Sequence, residues 1–124
     1  AMPVITGRFD IRRTPEAPIE LGGGAEAMHV RFDKRFEGAL DAASVVHMIA
    51  VGTAMEGSAA YVAIERVEGE LGGRAGSFVL RHCGTMDRGA QSLDLQVVPD
   101  SAEGELIGLR GSMKIDIVDG EHFY

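Results

Sequence analysis

The sequence predicts an all-β fold, a single small antiparallel barrel of about eight strands. Three observations carry that expectation. Apolar and polar residues alternate with a period of two wherever a period can be read. Glycine occurs 17 times without a repeating spacing, so the glycines act as turn and bulge punctuation. The stretch Tyr61–Thr85, YVAIERVEGELGGRAGSFVLRHCGT, consists of two β-type runs joined across Gly69–Gly76 by a turn holding Gly69, Gly72, Gly73 and Gly76.

From the N-terminus, Ile5, Gly7, Phe9 and Ile11 alternate with Thr6, Arg8, Asp10 and Arg12, a first strand. Pro15, Pro18 and Gly22–Gly24 then predict an irregular connection. In the next run Met28, Val30, Phe32 and, past Lys34, Phe36 face one way, with His29, Arg31, Asp33 and Arg35 opposite. The alanine-rich segment Ala39–Val51 has a helical alternative, with Leu40, Ala43, Val46, His47 and Ala50 on one face. Its β-branched Val45, Val46, Ile49 and Val51, bounded by Gly38 and Gly52, favour a strand. Further on, Leu93, Leu95 and Val97 alternate with Ser92, Asp94 and Gln96, and Met113, Ile115 and Ile117 with Lys114 and Asp116.

Composition sets outer bounds. With 124 residues the chain is long enough for one core or one cavity, and residues 2–124 are expected to form one domain. Ala1, ahead of Met2, reads as an expression scar. A net charge of -7 and the lack of a basic patch disfavour nucleic acid as a partner. No apolar run has membrane-spanning length and no leader-like segment opens the chain, so a cytoplasmic protein without a membrane partner is expected. The single cysteine, Cys83, excludes an internal disulfide. His29, His47, His82 and His122 show no HxH or HExxH spacing, so neither a metal nor another cofactor is expected.

The chemistry-bearing residues sit in the two central runs. Glu65 shares a strand face with Tyr61, Ala63 and Val67; Arg66 shares the other with Val62 and Ile64. Phe78, Leu80, His82 and Met86 make the more apolar face of the following run. Counting about the middle of the turn, between Gly72 and Gly73, sets Leu80 opposite Glu65, Val79 opposite Arg66 and His82 opposite Ala63. His82 is then diagonal to Glu65, within reach of a long side chain. A one-residue slip would bring Arg66 inside instead. Burial raises a carboxyl's proton affinity and a neighbouring imidazole can share its proton, so Glu65 and His82 are candidate catalytic acid–base groups. The alternative is a buried pair that only satisfies itself. Cys83 and His82 are adjacent in a strand and point to opposite faces, which argues against a nucleophilic dyad. The glycines at Gly72–Gly76 lack the GK[ST] of a phosphate loop and read as a hairpin turn.

The string GSFVLRHCGT, with IERVEGELGGRA before it and VVPDSAEGELIGLRG after it, resembles a bacterial family known as domain of unknown function 3224. FEGALDAAS at Phe36 and the terminal EHFY resemble it too, so the similarity spans nearly the whole chain. Arg81 departs from the pattern, standing where Gln is expected beside His82. The resemblance implies an allene oxide cyclase-like, calycin-like β-barrel and no particular reaction, because fold does not transmit function.

The functional expectation is a barrel with an apolar cavity for a small hydrophobic molecule, lined by Tyr61, Ala63, Phe32, Phe78 and Leu80. In its enzyme form it is an isomerase, cyclase or lyase without cofactor, using Glu65 and His82. The alternative is a non-catalytic ligand-binding protein, or a structural one with a filled barrel. A homodimer is expected, because Val45–Val51 and Val62/Ile64 put apolar side chains on both faces of their strands.

Overall fold

Four two-residue turns set the course of the chain. They lie at Gly23–Gly24, Gly72–Gly73, Arg88–Gly89 and Asp119–Gly120, and every central residue has positive φ. Such turns match the right-handed twist of the strands they join. Glycine takes this conformation without a Cβ clash, and this explains much of its abundance here.

The computed structural model describes residues 4–124; the expectation for Ala1 and Met2 lies outside them. Its strands are β1 (Gly7–Pro15), β2 (Ile19–Gly22), β3 (Ala25–Gly38), β4 (Leu40–Gly52), β5 (Ala59–Leu71), β6 (Arg74–Asp87), β7 (Ala90–Val97), β8 (Glu103–Gly104), β9 (Asp116–Val118) and β10 (Glu121–Phe123). All pairings are antiparallel, and the described residues contain no helix. Eight strands follow the order β7-β6-β5-β4-β3-β1-β10-β9, with β2 added to β3 and β8 to β6. The sheet curls into a half-barrel. Its free β7 edge is met by the chain itself: Val97 N–H donates to Gly111 O at 2.9 Å and Met113 N–H to Leu95 O at 2.9 Å. From Ser112, bridged to Gln96, the chain runs through residues 113–115 directly into β9.

The alternative for Ala39–Val51 resolves as strand, and β4 is buried at every second residue from Leu40 to Val46. Three expectations need correction. The region of Pro15, Pro18 and Gly22–Gly24 is not merely irregular, since Ile19–Gly22 pairs back onto β3 as a short hairpin. Met28 is exposed whereas Ala27 is buried. The inward pattern of β3 steps by one residue where its neighbour changes from β1 to β2. The run through Met113 and Ile115 forms only an isolated bridge before β9, and Ile117 is exposed.

The core fills one end of the curl. Phe9, Phe36, Leu40, Val67, Phe78, Leu80 and Leu95 are all buried there. Tyr124 closes this end. Its ring meets Phe36 edge-on at 5.6 Å, and its hydroxyl accepts from Leu40 N–H at 3.1 Å and donates to Glu37 O at 2.8 Å. Backbone bonds from Gly7 N–H to Tyr124 O (3.2 Å) and from Tyr124 N–H to Gly7 O (3.0 Å) tie the same residue to β1. A Cβ at Gly7 would collide with the tyrosine hydroxyl. Tyr124→Phe removes the hydroxyl and leaves the Leu40 amide without its partner. The expected cost is about 1–2 kcal/mol, read as a lower urea midpoint at unchanged slope; no change in midpoint would mean that the hydroxyl contributes nothing to closure.

Candidate functional site

Below the mouth of the curl, one carboxylate is fully enclosed. Glu65 on β5 is 0% exposed. On one side of β5 lies β6, in the register Glu65↔Leu80, Ala63↔His82 and Arg66↔Val79. This is the register obtained by counting about Gly72–Gly73, and it turns Arg66 outward, where it pairs with Glu68 at 2.5 Å. On the other side of β5, β4 sets Val46 opposite Glu65 and Ser44 opposite Val67. Beyond it β3 sets Lys34 opposite Ser44. Four neighbouring strands therefore each contribute one inward polar side chain at nearly one level.

These four side chains form a closed network. His82 Nε2 lies 2.7 Å from Glu65 Oε1, and Lys34 Nζ donates to the same oxygen at 3.2 Å. Ser44 Oγ donates to Oε2 at 2.5 Å. The Lys34 ammonium also stands 4.9 Å from the Phe9 ring centre and 5.8 Å from that of Phe36, a cation–π contact that joins the network to the apolar core. No fully enclosed side-chain nitrogen or oxygen atom among the described residues lacks a partner. Burial pushes the Glu65 carboxyl up, but the His82 hydrogen bond, the Lys34 charge and the Ser44 hydrogen bond outweigh it and hold Glu65 below its ordinary value. Glu65 is therefore an ionised anchor whose acceptor positions are engaged. A carboxylate only accepts, so the short contact puts the N–H of His82 on Nε2.

Above this level the curl opens into a cleft of about 530 Å³, bordered by Met48, Ala50, Tyr61, Gly84, Met86 and Leu93 among others. Among the described residues, no charged side chain borders it. The Tyr61 ring lies against Gly84, where any Cβ would strike it. Burial and the neighbouring Cys83 push the Tyr61 phenol up, so it stays a neutral donor. A more open depression of about 460 Å³ beside β8 is bordered by the charged Arg66, Glu68, Glu70 and Glu103.

Of the five residues expected to line a cavity, only Tyr61 borders the cleft. Phe78 and Leu80 are packed in the core, Ala63 is buried below the cleft, and Phe32 is half-buried on β3. Glu65 and His82 come together as the counted register requires. Sequence reasoning missed Lys34 and Ser44. Both had the inward parity of their strands, which was the available signal.

A family described as "Protein of unknown function (DUF3224)" matches residues 5–124. A crystal structure of a protein with unknown function from the same family, from Shewanella oneidensis MR-1, is 48% identical. That match covers 96% of this chain and 90% of the other with a TM-score of 0.89. No curated protein matches the chain.

Glu65→Gln leaves Lys34 buried without its counter-charge, with an expected loss of about 3 kcal/mol of stability. The depressed Glu65 value adds a pH signature. Its contribution is complete above the ordinary carboxyl value of 4.5 and is lost as pH falls below that through the folded-state value. Denaturant midpoints measured down the acid range should fall more steeply for the native protein than for Glu65→Gln. Parallel curves would contradict the ionised state assigned to Glu65.

Proposed function

Because the chain belongs to the DUF3224 family of proteins of unknown function, we propose its role from the geometry: it binds a small, uncharged, largely apolar molecule in the mouth of the curled sheet. The observation that carries this reading is a cleft of about 530 Å³ with no charged lining residue among those described, within the usual range for small-molecule sites. The two methionines on its wall, Met48 and Met86, adapt to irregular apolar shapes. The Tyr61 hydroxyl offers the polar contact that orients the molecule. An allene oxide cyclase-like, calycin-like barrel is the architecture this proposal assumes, and the core confined to one end supports it. An exposed free thiol at Cys83 favours the reducing cytoplasm.

A second reading rests on one further observation. Glu65 holds His82 through Nε2, and the other ring nitrogen, Nδ1, makes no hydrogen bond among the described residues. His82 lies one inward position below Gly84, so Nδ1 is the group that a substrate hydroxyl or acidic C–H would address once Tyr61 turns aside. In this reading Glu65 positions His82, and His82 moves the proton for a cofactor-independent isomerase or lyase.

The test of the binding reading uses two naphthylamine dyes of similar size, neutral N-phenyl-1-naphthylamine and the anionic anilinonaphthalene sulfonate. The neutral dye should bind with enhanced fluorescence and the anionic one much less. Ala50→Trp, which fills the cleft, should weaken the neutral dye about tenfold or more, a loss of about 1.4 kcal/mol, at an unchanged circular dichroism spectrum. Equal binding by Ala50→Trp, or none by the native protein, would remove the cleft as the site.

A further inference from the structure

On the outer face of the sheet, away from the cleft and the Glu65 network, two histidines meet. In β3 and β4 His29 is opposite Ile49 and Arg31 is opposite His47, so the histidines form a diagonal pair. His29 Nε2 stands 2.8 Å from His47 Nδ1, with ring centres 5.1 Å apart and planes inclined by 44°. A hydrogen bond between solvent-facing imidazoles competes with water and contributes little by itself. The same arrangement points two ring nitrogens at one position. Zinc–imidazole bonds of about 2.0–2.1 Å in tetrahedral geometry place their nitrogens about 3.3 Å apart. Small ring rotations therefore convert this contact into a two-ligand metal seat. Each imidazole would then carry its proton on its other nitrogen and give the lone pair to the ion.

Two imidazoles are half of a tetrahedral shell. The described residues of one chain supply no group of three or more His, Cys, Asp or Glu side chains able to hold a metal ion. The surroundings of the pair indicate where the remaining ligands come from. Ile49 is opposite Val62 and His47 is opposite Ile64, and these three aliphatic side chains are 41%, 53% and 55% exposed. That is an apolar patch on a solvent-facing side of a sheet. Three ion pairs stand among its charged neighbours: Arg31 with Asp33 at 3.0 Å, Arg66 with Glu68 at 2.5 Å and Arg81 with Asp94 at 3.0 Å. Beside them Arg12, opposite Asp33, and Glu16 are of opposite sign. The face is thus locally neutral on a chain of net charge -7. Here a second copy can approach without the repulsion that the net charge imposes elsewhere. Each ion pair also presents both signs, which a two-fold operation can set against their opposites.

We propose that the outer face around β4 and β5 binds a second copy of this chain, and that His29 and His47 of both copies together hold one divalent transition-metal ion of the zinc, cobalt or nickel type. Neither half of the site is complete alone. The aliphatic patch supplies contact area, and the ion fixes the two-fold arrangement. Arg31, next to the pair, does not repel the ion strongly because the Asp33 carboxylate balances its charge, accepting from two of its donors, Nε at 3.1 Å and Nη2 at 3.0 Å.

The experiment uses the full chain freed of metal with a chelator. Its mass is followed by sedimentation velocity as zinc is added, and the absorption spectrum as cobalt is added. The expected result is a shift from monomer to dimer at one ion per two chains, with the visible bands of tetrahedral cobalt. His47→Asn should abolish the metal-driven shift and the cobalt bands while leaving the unfolding midpoint in chelator unchanged. Val62→Glu should block the dimer with and without zinc, although the histidines remain. A dimer indifferent to the chelator, one ion per chain at monomer mass, or no metal binding would each overturn the proposal. Dye binding in the cleft is independent of this face, so the two readings fail separately.

Discussion

A carboxylate shut away from water must have all its charge answered, and that requirement at Glu65 organises the interior. Lys34 from β3, Ser44 from β4 and His82 from β6 converge on it, so a single side chain on β5 ties four consecutive strands together. Replacing such a cluster with hydrocarbon often leaves a protein as stable or more so. What the cluster supplies here is register. Sliding β5 by one residue would bury Arg66 in place of Glu65, next to Lys34, with like charges facing each other in a medium that screens them poorly. The network therefore excludes the nearest misalignment of the central hairpins.

The interior is graded along the strands. On β6 the inward residues run Phe78, Leu80, His82, Gly84; on β5 they run Val67, Glu65, Ala63, Tyr61. Apolar groups give way to polar ones and then to the small Ala63 and Gly84, with the Tyr61 ring laid over Gly84 at the mouth, so one end is solid and the other open. The outer faces of β4 and β5 follow a different rule. Their aliphatic residues are covered by nothing among the described residues, while every second residue of the same strands is satisfied inside. A strand with both faces apolar carries two jobs, and here only one is discharged within the monomer.

Much of this was legible in the residues. Alternation located the long strands, and the Glu65–His82 diagonal followed from counting because the Gly72–Gly73 loop has two residues and leaves no slack. Ala39–Val51 declared itself by β-branching against its alanine content. What escaped depends on contacts distant in sequence. Lys34 is 31 residues from Glu65 and Ser44 is 21 away, and the inward parity that Lys34 shares with Phe32 and Phe36 does not tell which distant carboxylate it meets. His29 and His47 are 18 apart and fit no spacing motif, since a hairpin rather than a helix or short loop brings them together. The β2 hairpin was hidden by Pro15 and Pro18, which read as interruption. Phe78 and Leu80 were placed on the correct face but at the filled end, because alternation specifies a face and not a depth.

The attachment of Tyr124 to Gly7 bears on the order in which the molecule assembles. From β3 to β7 each strand pairs with the next one in sequence, so hairpins can zip onto one another with short closures. β1 and β10 are different, for Arg8 pairs with Phe123 from the opposite end of the chain. That contact carries the largest loop-closure entropy and gains little until the Phe36 surface exists to receive the tyrosine ring. The meander thus has a route to form first, with the two chain ends docking onto a sheet already curled. Between those events the filled end is uncapped, and its apolar floor is the surface most open to mispairing with another chain.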